Sequence, residues 1–214
     1  MFSFTLTATA LLTNAQNTRL GITAGTAIAN YHAKVDGNDE SGNSKAGITI
    51  GVLANIPLGK SLSLQPALHY VQKGTKDEET FGGVTEKVKL NIDCLEVPLN
   101  LLYNASGNSG TFFIGAGPSF GFNLSGKAHY DDGTDADSEK IEIGNDPDND
   151  FMKGLDIGAN ILAGYRFPNG LFFSAGYNRG FNNLFPGGNR DGTLNSSYFS
   201  IKLGWLFNGK KDSD

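Results

Sequence analysis

The sequence has 214 residues, enough for one domain with a sizeable core or for two small ones. It carries 17 basic and 22 acidic residues, and the resulting net charge of −5 argues against a nucleic-acid-binding protein. Only 18% of the residues are charged, below the roughly 25% of ordinary soluble domains, while Gly reaches 29 and Phe 15. The single cysteine, Cys94, excludes an intrachain disulfide framework and a thiolate-rich zinc site.

The N-terminal segment from Met1 to Gln16 is apolar, rich in small residues and uncharged. It ends in Thr13-Asn14-Ala15, which fits a secretory signal peptide over residues 1–15 that is cleaved after Ala15. The basic n-region of such a signal is missing, which indicates either a true start a few codons upstream or simply a short apolar N-terminus. Beyond this segment no run approaches the roughly 18 apolar residues of a spanning helix, which excludes a polytopic helical membrane protein.

From Arg19 onward, apolar side chains alternate with polar or small ones at the two-residue period of β-strands. The pattern is clearest from Ala46 to Ile56, and it slips near Asp93, where we expect a β-bulge. The eight alternating segments run from Leu20 to Ile28, Ala46 to Ile56, Leu62 to Tyr70, about Val88 to Tyr103, Phe112 to Asn123, Leu155 to Phe167, Leu171 to Asn178 and Phe199 to Phe207.

The connections between these segments alternate in length. Short links cover residues 58–60, 104–110 and 168–170, whereas long polar connections cover residues 33–45, 75–87, 126–150 and 181–196. Short periplasmic turns and long extracellular loops are typical of outer-membrane barrels, whose tilted strands need about 9 to 11 residues to cross the bilayer. The sequence therefore predicts an all-β fold, an eight-stranded antiparallel up-and-down transmembrane β-barrel over residues 16–207, followed by a polar tail over residues 208–214.

A soluble lipocalin-like barrel would also alternate, but with its apolar face lining a cavity and many charges outside. Here the polar face consists mainly of Gly, Ser, Thr, Asn and Gln, which suits a tight barrel interior. Aromatic residues at both segment ends flank an aliphatic middle and indicate two girdles. At the short-turn ends these are Tyr103, Phe112, Phe167, Phe173, Trp205 and Phe207, and at the long-loop ends Tyr31, Tyr70, Phe122, Phe151 and Tyr198 or Phe199. We therefore favour the outer membrane of a Gram-negative bacterium over the soluble alternative.

Several motifs resemble a known family. These are the run Leu95-Glu96-Val97-Pro98-Leu99, the segment FFIGAGPSFG from Phe112 to Gly121, the segment IGANILAGY from Ile157 to Tyr165, and a last strand ending in Trp205-Leu206-Phe207. Together they are similar to the outer-membrane β-barrel domain of Bacteroidota proteins, the PorT-like group of small porin-family barrels. The resemblance implies insertion by the barrel-assembly machinery, with Trp205 and Phe207 forming the assembly signal in the last strand.

The candidate chemical groups favour no enzyme. His32, His69 and His129 fall on a strand end, a lumen face and a loop, and no Ser-His-Asp arrangement is visible in the sequence. The connection 126–150 holds nine carboxylates, and Asp146, Asp148 and Asp150 have the spacing of a calcium loop. Because Phe151 replaces the required Gly and Ile157 the required Glu, these three are only weak metal candidates, and we expect no cofactor.

Two charges on the inward face need partners, because an unpaired buried charge is costly. Glu96 lies mid-strand, as does Lys202 on the last strand. In a narrow barrel these two groups would reach each other or share a network with Gln65, Asn100 and Asn160. We interpret this network as a packed polar core, with a gated narrow conduit as the alternative.

The predicted function is that of a structural or interaction protein with a filled lumen and long acidic extracellular loops. A small porin-like or solute-binding barrel is the first alternative and the soluble lipocalin-like barrel the second. The expected partners are outer-membrane lipid, the barrel-assembly machinery during biogenesis, and an extracellular or envelope protein, with no nucleic acid.

Overall fold

A computed structural model of the chain describes residues 18–35, 37–39, 42–81, 84–131, 136–187 and 192–207. The predicted signal peptide at residues 1–15 and the polar tail at residues 208–214 lie outside the described residues. Among the described residues, no helix has the length and the apolar character needed to cross a membrane.

The described chain is built from β-strands joined by turns and loops. In chain order the strands are β1 (Arg19–Val35), β2 (Asn38–Asp39), β3 (Asn43–Pro57), β4 (Leu62–Phe81), β5 (Val84–Gly107), β6 (Gly110–Asp131), β7 (Ala136–Ile141), β8 (Leu155–Arg166), β9 (Leu171–Gly180) and β10 (Gly192–Leu206). The small and β-branched residues that alternate along them suit the pleated, half-buried surface of a sheet.

Eight of these strands close a barrel in the order β1-β3-β4-β5-β6-β8-β9-β10. Every neighbouring pair is antiparallel, and β10 closes the ring on β1 through a register that runs from Gly21 opposite Leu206 to Val35 opposite Gly192. The two short strands add to the ring only at the long-loop end, where β2 pairs with β1 and β7 with β6. The predicted eight-stranded antiparallel up-and-down barrel is confirmed.

The long connections are more structured than the sequence predicts. The expected loop over residues 75–87 is a continuation of β4 to Phe81 and of β5 from Val84, so these strands form one long hairpin. Within the expected loop 126–150, β6 continues to Asp131 and β7 pairs back onto it. Backbone pairing continues past the apolar pattern because polar side chains also fit a sheet whose two faces meet water.

The bulge expected near Asp93 is present, but the extra residue belongs to the neighbouring strand. Asp93 pairs with Ser125 and Cys94 with Asn123, so Leu124 of β6 has no partner in β5. The side chains of β5 keep alternating through this point, with both Ile92 and Cys94 buried inside the barrel. The alternation in the sequence of β5 slips at Asp93 because inward-facing residues such as Ile92, on the long-loop side of this position, are apolar too.

The apolar face of the barrel points outward. Ile48, Ile50 and Val52 of β3 are more than half exposed, whereas Thr49 and Asn55 of the same strand are buried in the lumen. This is the orientation of a membrane barrel and the reverse of a soluble one, because large aliphatic side chains form the outer surface. The lipocalin-like alternative is therefore wrong.

Exposed aromatic side chains ring both ends of the aliphatic belt. At the short-turn end the exposed rings are Tyr103, Phe112, Phe167, Phe173, Trp205 and Phe207, as expected. At the long-loop end Phe122, Phe151 and Phe199 are exposed, but Tyr31 and Tyr198 are buried in the lumen. Placing Tyr31 in a girdle was wrong, because it shares the inward face of β1 with Ala27 and Ala29.

Candidate functional site in the barrel lumen

A buried ion cluster lies in the middle of the lumen. Lys73 of β4 contacts two carboxylates, with its Nζ 3.4 Å from Glu96 Oε2 of β5 and 3.1 Å from Asp156 Oδ2 of β8. All three side chains are at most 4% exposed. Charges so deeply buried persist only when ion pairs and hydrogen bonds replace the water they have lost.

Neutral donors add hydrogen bonds to both carboxylates, although Asp156 Oδ1 has no hydrogen-bond partner among the described residues. Tyr198 O–H and Asn178 Nδ2 both donate to Glu96 Oε1, and Asn178 Nδ2 also lies 2.7 Å from Ser119 Oγ. Ser196 Oγ donates to the Asp156 Oδ2 atom that faces Lys73. The Lys73 ammonium also lies 5.3 Å from the centroid of the Tyr198 ring, within cation–π range. We call Lys73, Glu96, Asp156, Asn178, Ser196 and Tyr198 the lumen cluster.

The structure separates the two charges that the sequence paired. Lys202 of β10 donates to His69 Nδ1 at 3.4 Å, and the ion pair of Glu96 is with Lys73. Of the two arrangements that the sequence left open, direct contact between Glu96 and Lys202 is not formed, and the two residues instead line the same cavity. Lys202 lies opposite Gly25 of β1 and Ser174 of β9 in the sheet.

The other predicted network residues do share one space with this pair. A small cavity in the lumen has a volume of about 40 Å³. It is lined by all five predicted network residues, Gln65, Glu96, Asn100, Asn160 and Lys202. Asn160 Nδ2 donates to the backbone carbonyl of Gly117 at 3.1 Å. A space of this size suits a few waters and is far below the roughly 300 Å³ of a small-molecule site.

Sequence reasoning missed Lys73, Asp156, Asn178 and Tyr198 as members of one cluster. The available signal was their common inward position, since Lys73 and Asp156 lie on the polar faces of their segments. Lys73 carries a charge opposite to that of Asp156, and each would otherwise be stranded in the interior. Pairing inward charges of opposite sign across the whole barrel would have found them.

Apolar layers close the lumen on both sides of the polar region. The lower layer, at the short-turn end, consists of Leu53, Ala67, Leu102, Phe113, Phe172 and Leu206. The upper layer, at the long-loop end, consists of Tyr31, Ile92, Ala128, Ile141, Met152, Leu184 and Leu194. Because close-packed apolar side chains exclude water, the polar middle of the lumen is separated from both ends.

The acidic connection after β7 forms a turn held by its own carboxylates. Asp146 accepts hydrogen bonds from Asp148 N–H and from Asn149 Nδ2, and Asp150 accepts one from Asp146 N–H. The backbone bond from Asp148, followed by the Asn149 bond, lowers the pKa of Asp146. Within the described ranges, no group of three or more His, Cys, Asp and Glu residues could hold a metal ion.

The predicted assembly residues lie on the outer surface at the closing seam. Trp205 pairs with Ile22 of β1, and Phe207 N–H donates to the Leu20 carbonyl just beyond the last strand. Both side chains are exposed at the level of the short-turn girdle.

Comparison with protein families decides the class of this barrel. Residues 14–186 match the family model described as outer membrane protein beta-barrel domain. The chain belongs to this family. It is accordingly a protein of the outer membrane of a Gram-negative bacterium.

Solved structures of the same broad type are similar to this outer-membrane barrel. Neisserial surface protein A covers 88% of this chain and 97% of its own, with 15% identity and a TM-score of 0.42. The attachment invasion locus protein Ail of Yersinia pestis covers 89% and 99%, with 12% identity and a TM-score of 0.42. OprG of Pseudomonas aeruginosa covers 89% and 96%, with 12% identity and a TM-score of 0.47. Comparison with curated protein sequences gave no match.

Proposed function

We propose that this outer-membrane barrel is a non-conducting, non-enzymatic interaction protein that presents acidic hairpins to the exterior. The observation that carries the proposal is the filled lumen, in which the Lys73–Glu96–Asp156 cluster lies between two apolar layers. A permanent solute path would have to cross both layers. An interior of this kind supports a scaffold for the external surface better than a pore.

The distribution of charge supports an external role. Seventeen of the 22 acidic residues, but only seven of the 17 basic ones, fall in the four long connections. Some of these acidic residues lie on the β4–β5 and β6–β7 hairpins, whose paired strands extend beyond the aromatic girdle. The partner that fits such a surface is a cationic extracellular or envelope protein, because complementary charge directs encounter.

Conductance in planar bilayers tests the closed lumen. We expect the purified wild-type protein to give little or no steady current. As a positive control, a variant that combines Phe113→Ser and Phe172→Ser in the lower layer with Ile92→Ser and Leu184→Ser in the upper layer weakens both closures and should raise the frequency of transient openings. A large stable current from the wild-type protein would contradict the proposal and favour the porin-like alternative.

A charge-neutralised hairpin tests the external surface. We expect the combined change Asp137→Asn, Glu139→Gln and Glu142→Gln to weaken binding of a cationic peptide such as oligolysine, with a reduced salt dependence. The matched control neutralises Arg19, Lys60 and Arg166 at the periplasmic end, and it should leave this binding unchanged. Equal binding by the hairpin variant and the wild-type protein would contradict the acidic surface as the docking site.

Three further assignments belong to this proposal. The motifs around Pro98 and Pro118 support a place in the PorT-like group of Bacteroidota barrels. Insertion proceeds through the barrel-assembly machinery, which reads the last strand with Trp205 and Phe207. Residues 1–15 are removed as a signal peptide, so N-terminal sequencing of the mature protein should begin at Gln16, and any other start would contradict that cleavage site.

A further inference from the structure

A second cavity opens at the periplasmic mouth of the barrel, below the lower apolar layer. Its volume is about 310 Å³, and most of the residues that line it are polar. Arg19 from the start of β1, Lys60 from the β3–β4 turn and Arg166 from the end of β8 all line it. We call this space the periplasmic cavity.

The periplasmic cavity is strongly cationic. Its lining contains three positive side chains and no carboxylate. In the described part of the chain, every Asp and Glu lies either in the extracellular half or at the level of the lumen cluster. None of the three cations forms an ion pair within those described residues.

Two buried amide groups at this mouth have unused acceptors. Asn104 Nδ2 donates to Ser63 Oγ at 2.9 Å, but Asn104 Oδ1 has no hydrogen-bond partner among the described residues. The same holds for Asn55 Oδ1, and these two side chains are only 9% and 5% exposed. A buried carbonyl oxygen without a donor is costly, so rotation of either side-chain amide toward the cavity would let a donor group of a ligand stabilise it.

We propose that the periplasmic cavity binds a phosphate ester that carries free hydroxyl groups. Arginine guanidinium groups match phosphate oxygens with paired, charge-assisted hydrogen bonds, and Lys60 adds a third positive charge. The hydroxyl groups would donate to Asn55 Oδ1 and Asn104 Oδ1 once these amides rotate toward the cavity. Because Phe113, Phe172 and the rest of the lower apolar layer close the inner end, the ligand binds without crossing the barrel.

The same chemistry is available from two sources in the periplasm. One is a soluble phosphate ester, and the other is the headgroup of a glycerophospholipid from the inner leaflet of the outer membrane. Titration of the detergent-solubilised protein with glycerol phosphate, followed by calorimetry, tests the soluble source. Native mass spectrometry of protein extracted from bilayers of phosphatidylglycerol or of phosphatidylcholine tests the lipid source.

Two variants change the charge of the periplasmic cavity in different ways. We expect Arg19→Gln combined with Arg166→Gln to weaken glycerol phosphate binding, or retention of phosphatidylglycerol, by about tenfold or more. Ser106→Asp leaves all three cations in place but adds a carboxylate to the exposed wall, and it should weaken binding to a similar extent. The control Lys140→Gln removes an extracellular lysine that pairs with Glu142 and should change nothing.

The outcomes separate the sources and the proposal. Binding of glycerol phosphate that these variants weaken supports a soluble ester, and retained phosphatidylglycerol alone supports a lipid headgroup. If the wild-type protein binds neither probe, or if the cavity variants bind as well as the wild-type protein, the proposal is overturned. Heat-modifiable migration of each variant on gels shows that its barrel is folded, so a lost signal is not a lost fold.

Discussion

Lys73 carries the only positive charge in direct contact with the two buried carboxylates of the described lumen. Its ammonium lies within 3.4 Å of both Glu96 and Asp156, and no second cation forms an ion pair with either in the described residues. Removing one member of a buried ion pair costs far more than the pair itself contributes, because the remaining charge stays desolvated. The stability of the lumen should therefore depend on Lys73 more than on Lys202.

We expect Lys73→Met to lower the free energy of unfolding by about 3 to 5 kcal/mol, because two carboxylates then face each other without a cation. The matched control Lys202→Met removes a hydrogen bond to His69 and a longer-range attraction to Glu96, but no ion-pair contact, and should cost about 1 kcal/mol. Urea unfolding in lipid vesicles, followed by the fluorescence of the single Trp205, measures both. A larger cost for Lys202→Met would show that the network is centred on Lys202 instead.

A single residue also tests which face meets lipid. Ile50 is 56% exposed in the aliphatic belt, and its neighbour Thr49 is 2% exposed in the lumen. Ile50→Arg should lower the stability of the inserted barrel by roughly 2 to 4 kcal/mol, since it places a charge in hydrocarbon. Thr49→Arg should act by crowding the interior, whatever the lipid. Unchanged folding of Ile50→Arg into bilayers of different thickness would contradict the outward orientation.

At the scale of strands, close backbone approach constrains the inward face of β6. A Cβ atom on Gly117 would clash with the backbone carbonyl oxygen of Leu99 in the neighbouring β5. A side chain at this position can be accommodated only if the two strands move apart. Glycine is therefore required here by the packing of one strand against the next.

Gly117→Ala should lower the free energy of unfolding by about 1 to 3 kcal/mol, because the β5–β6 pair must shift. The matched control is Gly59→Ala in the β3–β4 turn, where an added Cβ would have no atom within 4 Å. We expect this control to change stability by less than about 0.5 kcal/mol. Equal stabilities in the urea assay would show that β5 and β6 are not packed as closely as described.

At the scale of the whole molecule, charge is divided between the two ends of the barrel. The four long connections at one end hold most of the acidic residues, and the cavity at the short-turn end is lined by three cations and no carboxylate. The membrane lies between these regions, so each end meets a different compartment. The two proposals, for an external partner and for a periplasmic phosphate ester, therefore concern independent surfaces.

Cysteine labelling in intact cells tests which end of the barrel faces the exterior. The native Cys94 serves as the internal negative control. Cys94 is fully buried and should not react with a membrane-impermeant maleimide while the barrel is folded. Ser138→Cys, on exposed β7, should be labelled in intact cells. Gly59→Cys, in a periplasmic turn, should be labelled only after the outer membrane is permeabilised. The reverse pattern would invert the topology.

Much of this architecture could be read from the sequence because a membrane barrel is governed by a local rule. Side chains alternate between lipid and lumen at every residue, so eight alternating segments predicted eight ring strands and their orientation. The same rule could have placed Tyr31 in the lumen, since it lies an even number of residues from Gly21 and Thr23 and therefore on the same face of the strand. The prediction for Tyr31 was wrong because it gave the preference of aromatic residues for membrane interfaces more weight than the alternation of side chains along β1.

The sequence by itself determined the class of fold, the membrane and the inward position of Lys73, Glu96, Asp156 and Lys202. Only the tertiary structure decided which of these charges meet. Lys73 and Asp156 belong to β4 and β8, which are not neighbours in the ring, so their contact depends on how the strands are staggered and where the barrel closes. The alternation along a strand predicts that a side chain points inward, but the stagger of the strands determines which residue it meets across the lumen.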